Sequence, residues 1–237
     1  MSTEKVSIFG GNGFVGTHLA EALISNGNEV TCISRSGHIP AQLENVAWAE
    51  KVQWLAGDAS EADSAELADT DVMVTLVGSP PVPTFSKKAY EDQVWINSQP
   101  NLGAMKAAED AGIKRMVILG AHLPWFMNTD KFGYAKGKRM CLEAAKTFVE
   151  KGNGNTAIIL QPTAIFGTRH NKDGDPMKLE PLMGTVSKLQ GIFPKSIARI
   201  LPEQLVSIHA VTNRLIYACF DPSLDGKFTM ILSLIHI

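Results

Sequence analysis

Glycines 10, 13 and 16 fall at i, i+3 and i+6 in the run Gly10-Gly11-Asn12-Gly13-Phe14-Val15-Gly16. An apolar stretch over residues 5–9 precedes them. A stretch with apolar positions at Val15, Leu19, Ala22 and Leu23 follows. A chain that leaves a strand, turns sharply, lets a pyrophosphate approach its backbone and packs a helix on the strand needs each Cβ removed. The N-terminus of the new helix then offers free N–H groups, from Asn12 through Phe14, Val15 and Gly16, and the positive end of its dipole. A glycine trio alone is a weak signal. The strand before it and the amphipathic helix after it are the context that makes it a dinucleotide cradle.

The end of the second strand selects the dinucleotide. Sites for NAD usually place an acid there to hold the ribose 2′-hydroxyl. This chain has Ser34-Arg35-Ser36, with no acid until Glu44. Arg35 can pair with a 2′-phosphate and stack on adenine, whereas a carboxylate would repel it. NADP(H) is therefore expected in preference to NAD(H), the alternative being that Arg35 is a solvated loop residue. Asp58, after the third strand, is placed either to accept from the adenine amino group or to cap a helix beginning near Ser60.

The elements that must position these residues alternate. Strands are expected over residues 5–9, 29–34, 52–56, 71–77, 114–119 and 156–161. Helices are expected over 14–25, 87–111 and 131–151, the second kinked or split by Pro100. Beyond Phe166 the pattern weakens. Residues 168–181 read as loop, 182–201 as helix with a break near Pro194, 204–209 as a short strand and 210–220 as helix. Alternation of this kind implies right-handed βαβ units and a Rossmann-like, doubly wound parallel α/β sheet. Residues 1–166 are expected to form the dinucleotide domain and 167–231 a small, truncated substrate-side lobe. Residues 232–237, Leu-Ser-Leu-Ile-His-Ile, read like the translation of a sequencing-library adapter, the alternative being a genuine terminal strand. On the first reading the natural chain continues past about Met230.

Composition excludes several classes. The 237 residues are 45% hydrophobic and 19% charged, with a formal charge of -2, which leaves no footprint for nucleic acid. Cys32, Cys141 and Cys219 match no metal spacing and read as buried reduced thiols. No apolar run is long enough to span a membrane. If Met1 is the true start, the first strand is expected to begin too early for a signal or transit peptide before it. The protein is thus expected in the cytoplasm, or in the mitochondrion by a signal the sequence does not display.

Taken together, the glycine run, Gly57-Asp58, Tyr134-Ala135-Lys136-Gly137-Lys138 and Gln161-Pro162-Thr163-Ala164-Ile165-Phe166-Gly167 resemble an atypical or extended short-chain dehydrogenase/reductase. Phe132-Gly133-Tyr134 and the following Lys-Gly-Lys-Arg are similar to one branch of it. That branch holds the NADPH-binding accessory subunit of respiratory complex I and a fungal mitochondrial protein associated with coenzyme Q biosynthesis. The resemblance implies that Lys138, one helical turn from Tyr134, holds the nicotinamide ribose and depresses the tyrosine pKa. Tyr134 would then exchange a proton with the substrate oxygen. It also implies that Val77 and Gly78 pack on the adenine ribose and that Pro162 and Thr163 touch the carboxamide. Asn97 falls where the family often has an Asn.

One departure matters. Active members place Ser or Thr at the end of the fifth strand, but residues 117–124 contain no hydroxyl. His122 stands near that spot as a candidate hydrogen-bond donor or acid, or as a structural residue. Thr129 would substitute only if its loop folded inward. Trp125, Phe126 and Met127 either line a pocket for a hydrophobic substrate or form core or an interaction patch. Two functions follow. One is an NADP-dependent oxidoreductase acting on a small apolar carbonyl, alcohol or quinone-related substrate. The other is a non-catalytic NADPH-holding subunit of a membrane-associated quinone or respiratory assembly. A nucleotide-sugar epimerase or dehydratase would want a longer substrate domain.

Overall fold

A computed structural model of the chain describes residues 3–177 and 206–232. Strands covered on both faces have to be apolar throughout, and β1 (Lys5–Phe9), β2 (Glu29–Ser34), β4 (Val72–Thr75), β5 (Arg115–Leu119) and β6 (Thr156–Gln161) are buried along nearly their whole length. With β3 (Gln53–Ala56) and β11 (Phe228–Leu232) they make a seven-stranded sheet in the order β11-β6-β5-β4-β1-β2-β3. Every pairing in that sheet is parallel.

Helices cover both faces. α1 (Phe14–Ser25) and α4 (Ile208–Phe220) bury Leu19, Leu23, Val211 and Leu215 against Val6, Ile8 and Val117. α2 (Lys87–Asp110) and α3 (Gly133–Glu150) bury Ala104, Met105, Cys141 and Phe148 against Phe9, Met73 and Met116. From β1 the chain winds outward to β2 and β3 on one side and to β4, β5 and β6 on the other. The crevice at the carboxyl ends of β1 and β4 is therefore the topological switch point, where ligands of such sheets bind.

Three features differ from the sequence expectation. α2 runs through Pro100 as one helix and is not split there. Its packing overrides the lost hydrogen bond: Ser86 caps its start, Pro100 itself is buried, and a Cβ on Gly103 would lie 2.3 Å from the carbonyl oxygen of Ala59. Residues 169–177 form a small antiparallel hairpin of β8 (Arg169–His170) and β9 (Pro176–Met177) instead of plain loop. The Asn171 side chain accepts from the N–H groups of Asp173 and Asp175 and so closes its turn. Finally, β11 was not expected as a member of the main sheet. It pairs with β6 from Phe228↔Ala157 to Leu232↔Gln161.

Two short strands, β7 (Ile165–Phe166) and β10 (Val206–Ser207), pair in parallel just ahead of α4. The helix expected over 182–201, with residues 178–181 and 233–237, lies outside the described residues. No helix among the described residues is long and apolar enough to cross a membrane.

Candidate functional site

The glycine turn is tight for reasons that can be measured. Gly10 sits at φ +80°, and its N–H bonds to the carbonyl of Ile33 at the end of β2. A Cβ on Gly16 would come 2.4 Å from the Gly10 carbonyl oxygen, and one on Gly11 would come 2.4 Å from the Cys32 sulfur. The first intrahelical donor of α1 is Thr17, which bonds to the carbonyl of Gly13. The N–H groups of Phe14, Val15 and Gly16 therefore have no acceptor within the helix. The first turn of α1 carries no acidic side chain. The result is a cradle of donors at a positive helix end, with no side chain to fill it.

Beside the turn opens a cleft of about 250 Å³. Gly10, Asn12, Gly13, Ser34, Arg35, Asp58, Val77 and Gly78 all line it, as do Gly57 and Ile33. The Asp58 carboxylate caps the turn at Ser60, accepting from its N–H at 2.9 Å and its hydroxyl at 2.7 Å. Those bonds, and secondarily Arg35, hold its pKa below the usual carboxylate range. Asp58 is thus both a cap and a wall of the cleft. Ser36 accepts from the Asn12 amide at 3.4 Å, and the Ser34 hydroxyl accepts from the Gly37 N–H.

The far wall is Trp95, Ile96 and Pro100 of α2. Sequence reasoning missed it. Pro100 inside an otherwise helical stretch was the available signal, because a proline kept there needs a compensating role.

Not all predicted residues meet this cleft. Val15 is part of the core, and Phe14 turns its ring toward His18 and Arg169, so each can offer only backbone there. Tyr134 and Lys138 stand beyond the cleft. Lys138 donates to the carbonyl of Leu119, the last residue of β5, at 2.7 Å, and a Cβ on Gly78 would lie 3.4 Å from its Nζ. Gly78 therefore joins the two halves of the site. The Lys138 amine lies 6.0 Å from the Tyr134 ring centroid. Burial lowers the pKa of Lys138, and burial pushes the Tyr134 phenol up to about 12, not down as the resemblance implied, because desolvation outweighs the neighbouring lysine.

A row of buried amides on α2 sets these positions. Gln93 accepts from the Tyr134 N–H at 2.9 Å and donates to the Val82 carbonyl at 2.7 Å. Asn97 accepts from the Ser79 N–H and donates to the Ser79 hydroxyl. Asn101 donates to the Val77 carbonyl and accepts from Thr75. One face of α2, read at i, i+4 and i+8, thereby stitches the loop after β4 to the start of α3. Gly133 and Gly137 allow that approach, since a Cβ on either would lie 2.8 Å from an α2 carbonyl oxygen.

His122 is exposed, and its backbone N–H bonds to the carbonyl of Pro162 at 2.9 Å. That bond joins the segments after β5 and β6, where Pro162 and Thr163 lie. Thr129 is exposed, Trp125 is 86% exposed and Phe126 40%. The remaining basic residues of α3 are engaged elsewhere: Arg139 with Asp130 and Asn128, Lys146 with Glu143, and Lys136 over the Tyr90 ring.

Comparison with known proteins agrees with this architecture. Residues 6–190 match the model of the NAD dependent epimerase/dehydratase family. An uncharacterized chloroplastic protein of Arabidopsis thaliana is 34% identical over 174 residues, 71% of this chain and 53% of that protein. MIOREX complex component 2 of Saccharomyces cerevisiae is 39% identical over 62 residues, 25% of this chain and 22% of its own length. The chain therefore spans about half or less of these curated relatives. Among solved structures, a UDP-N-acetylglucosamine 4-epimerase from Methanobrevibacter ruminantium M1 shares the fold at TM-score 0.71 and 19% identity, over 98% of this chain and 76% of that one.

Proposed function

The chain belongs to the NAD dependent epimerase/dehydratase family, and on that premise we propose that it binds NADP(H) and transfers hydride to a small apolar carbonyl or quinone-related acceptor. The observation that carries the reading is the cleft that brings the glycine turn, Arg35, Asp58 and Gly78 together. The donor cradle of α1 holds the pyrophosphate, and Arg35 meets the 2′-phosphate. Trp95 and Pro100 enclose the adenine side. When bound, the dinucleotide supplies the hydride. Residues 1–166 do the binding, and 167–231 contribute to the substrate side.

The chain's own chemistry is proton transfer. Tyr134 is buried at the start of α3, and a phenol with a pKa of about 12 is protonated at neutral pH. It therefore acts as the acid, giving its proton to the oxygen of an accepting carbonyl. That direction fits consumption of a reduced cofactor. Lys138, held between the Leu119 carbonyl and Gly78, orients the ribose.

A second reading is supported by the end of β5. Residues 117–124 supply no hydroxyl to orient a carbonyl, and His122 is turned to solvent. A protein so built holds NADPH without turning it over, as a subunit of an organellar assembly. The partial likeness to a yeast complex component supports it.

The two readings separate in one assay. NADPH oxidation is followed with carbonyls, quinones and nucleotide sugars, for wild type and Tyr134→Phe. The oxidoreductase reading expects turnover with at least one acceptor and its loss by about 100-fold or more in the variant. Equal, non-zero rates in the two proteins would remove Tyr134 from catalysis, and no turnover of any acceptor by the wild type would leave the binding subunit.

A further inference from the structure

Asn101 is fully buried in α2, yet its side chain reaches the edge of the cleft. Its amide nitrogen donates to the Val77 carbonyl at 3.0 Å and, at 3.4 Å, to the carbonyl of Asn97. Its amide oxygen accepts at 2.7 Å from the hydroxyl of Thr75, which is fully buried too. Backbone carbonyls can only accept, so the amide nitrogen must face them and the side chain has a single orientation. A buried amide with every group paired is rigid, and it pins the Val77 carbonyl toward α2.

The consequence lies across the peptide bond. A trans peptide is planar, and its N–H points opposite to its C=O. Holding the Val77 carbonyl against α2 therefore turns the Gly78 N–H away from that helix. Val77 and Gly78 both line the cleft, Gly78 from an exposed position. The N–H groups of Leu76 and Ser79 are taken, by the carbonyl of Phe9 and the side chain of Asn97. That of Gly78 has no acceptor among the described residues.

Position along the cleft decides what this donor meets. A Cβ on Gly10 would lie 3.4 Å from the Val77 side chain, and one on Gly78 would lie 3.4 Å from Lys138 Nζ. Residues 77 and 78 thus bridge from the phosphate cradle to the Tyr134–Lys138 pair. Arg35, Asp58 and Trp95 line the cleft at the end that takes the adenosine in the reading above. A dinucleotide running from there toward Tyr134 passes Gly78 with its second phosphate and second ribose.

We infer that Asn101 is a positioning residue that aims the Gly78 N–H at an oxygen in the nicotinamide-side half of the dinucleotide. The inference rests on the cofactor reading. It adds to the glycine turn a donor whose direction is set before the ligand arrives, so that binding need not order it.

The test is isothermal titration of wild type and Asn101→Leu with ADP-ribose 2′-phosphate and with 2′,5′-ADP. The second ligand ends at the first phosphate. Asn101→Leu is expected to weaken ADP-ribose 2′-phosphate about tenfold and to leave 2′,5′-ADP unchanged. Unchanged affinity for both overturns the inference. Parallel losses for both make Asn101 a packing residue and overturn it too. A second measurement needs no variant. In an amide NMR spectrum of glycine-labelled wild type, the Gly78 proton should move downfield with ADP-ribose 2′-phosphate and not with 2′,5′-ADP. An equal response to the two, or none to either bound ligand, overturns the inference even if Asn101→Leu fails to fold. Wild type that binds neither ligand would bring down the cofactor reading, and this inference with it.

Discussion

The backbone N–H of Tyr134 is donated to the side-chain oxygen of Gln93, 2.9 Å away, in a buried contact between α3 and α2. The other end of the same amide holds the carbonyl of Val82. One side chain therefore sets both the residue read as the proton donor and the loop that borders the cleft. Replacing it by leucine leaves a buried N–H and a carbonyl without partners. Gln93→Leu is expected to cost about 1–3 kcal/mol in urea denaturation. It is also expected to lower turnover more than it weakens NADPH binding.

Gly16 is the least replaceable residue of the turn. Its Cβ would overlap the Gly10 carbonyl and the Gly11 backbone, at 2.4 and 2.6 Å, and both neighbours are main chain. Gly16→Ala should destabilise the protein by about 1–3 kcal/mol. Dinucleotide binding should fall below detection by thermal shift, because the cradle has to open to admit the methyl group.

Arg35 is the element that separates the two cofactors. It lines the cleft from an exposed position beside Asp58. Arg35→Asp places a carboxylate where a 2′-phosphate would lie and where a 2′-hydroxyl could be accepted. The ratio of NADPH to NADH affinity, measured by titration, should fall by about tenfold or more.

Alkaline pH tests the burial of Tyr134. Its pKa rises from 10.0 to about 12 in the folded protein. The fold binds this proton more tightly than the unfolded chain does, so the associated stability is present below pH 10 and is lost as pH climbs toward about 12. That loss amounts to roughly 2–3 kcal/mol in denaturation midpoints. The buried thiols of Cys32, Cys141 and Cys219 act in the same direction and are common to wild type and Tyr134→Phe. The variant should therefore show the shallower decline across this window.

Much of the frame was legible because it is local. The apolar runs of β1, β2 and β6 and the period of α1 needed no knowledge of distant residues, and the structure places them at the expected bounds. The glycine turn, Arg35, Asp58 and Gly78 were readable as well, since their positions follow from strand ends.

What escaped notice depends on contacts across long sequence separations. Trp95 and Pro100 become cleft walls only when α2 packs under the loop after β4. Gln93 matters only because Tyr134 arrives from 41 residues away. β11 is an edge strand, only half-buried, and gains its place by pairing with β6. Arg169 looked like loop because its strand is just two residues long.

The central claim is that the cleft beside the glycine turn takes NADP(H). Trp95 lines that cleft and is 51% exposed, so its fluorescence reports occupancy directly. The decisive measurement is a titration of tryptophan emission with NADPH and with NADH, using Trp95→Phe to identify the signal. The account predicts saturable quenching by both, tighter for NADPH, that largely disappears in the variant. Equal affinity for the two would contradict the role given to Arg35. No saturable response to either would contradict the dinucleotide site itself.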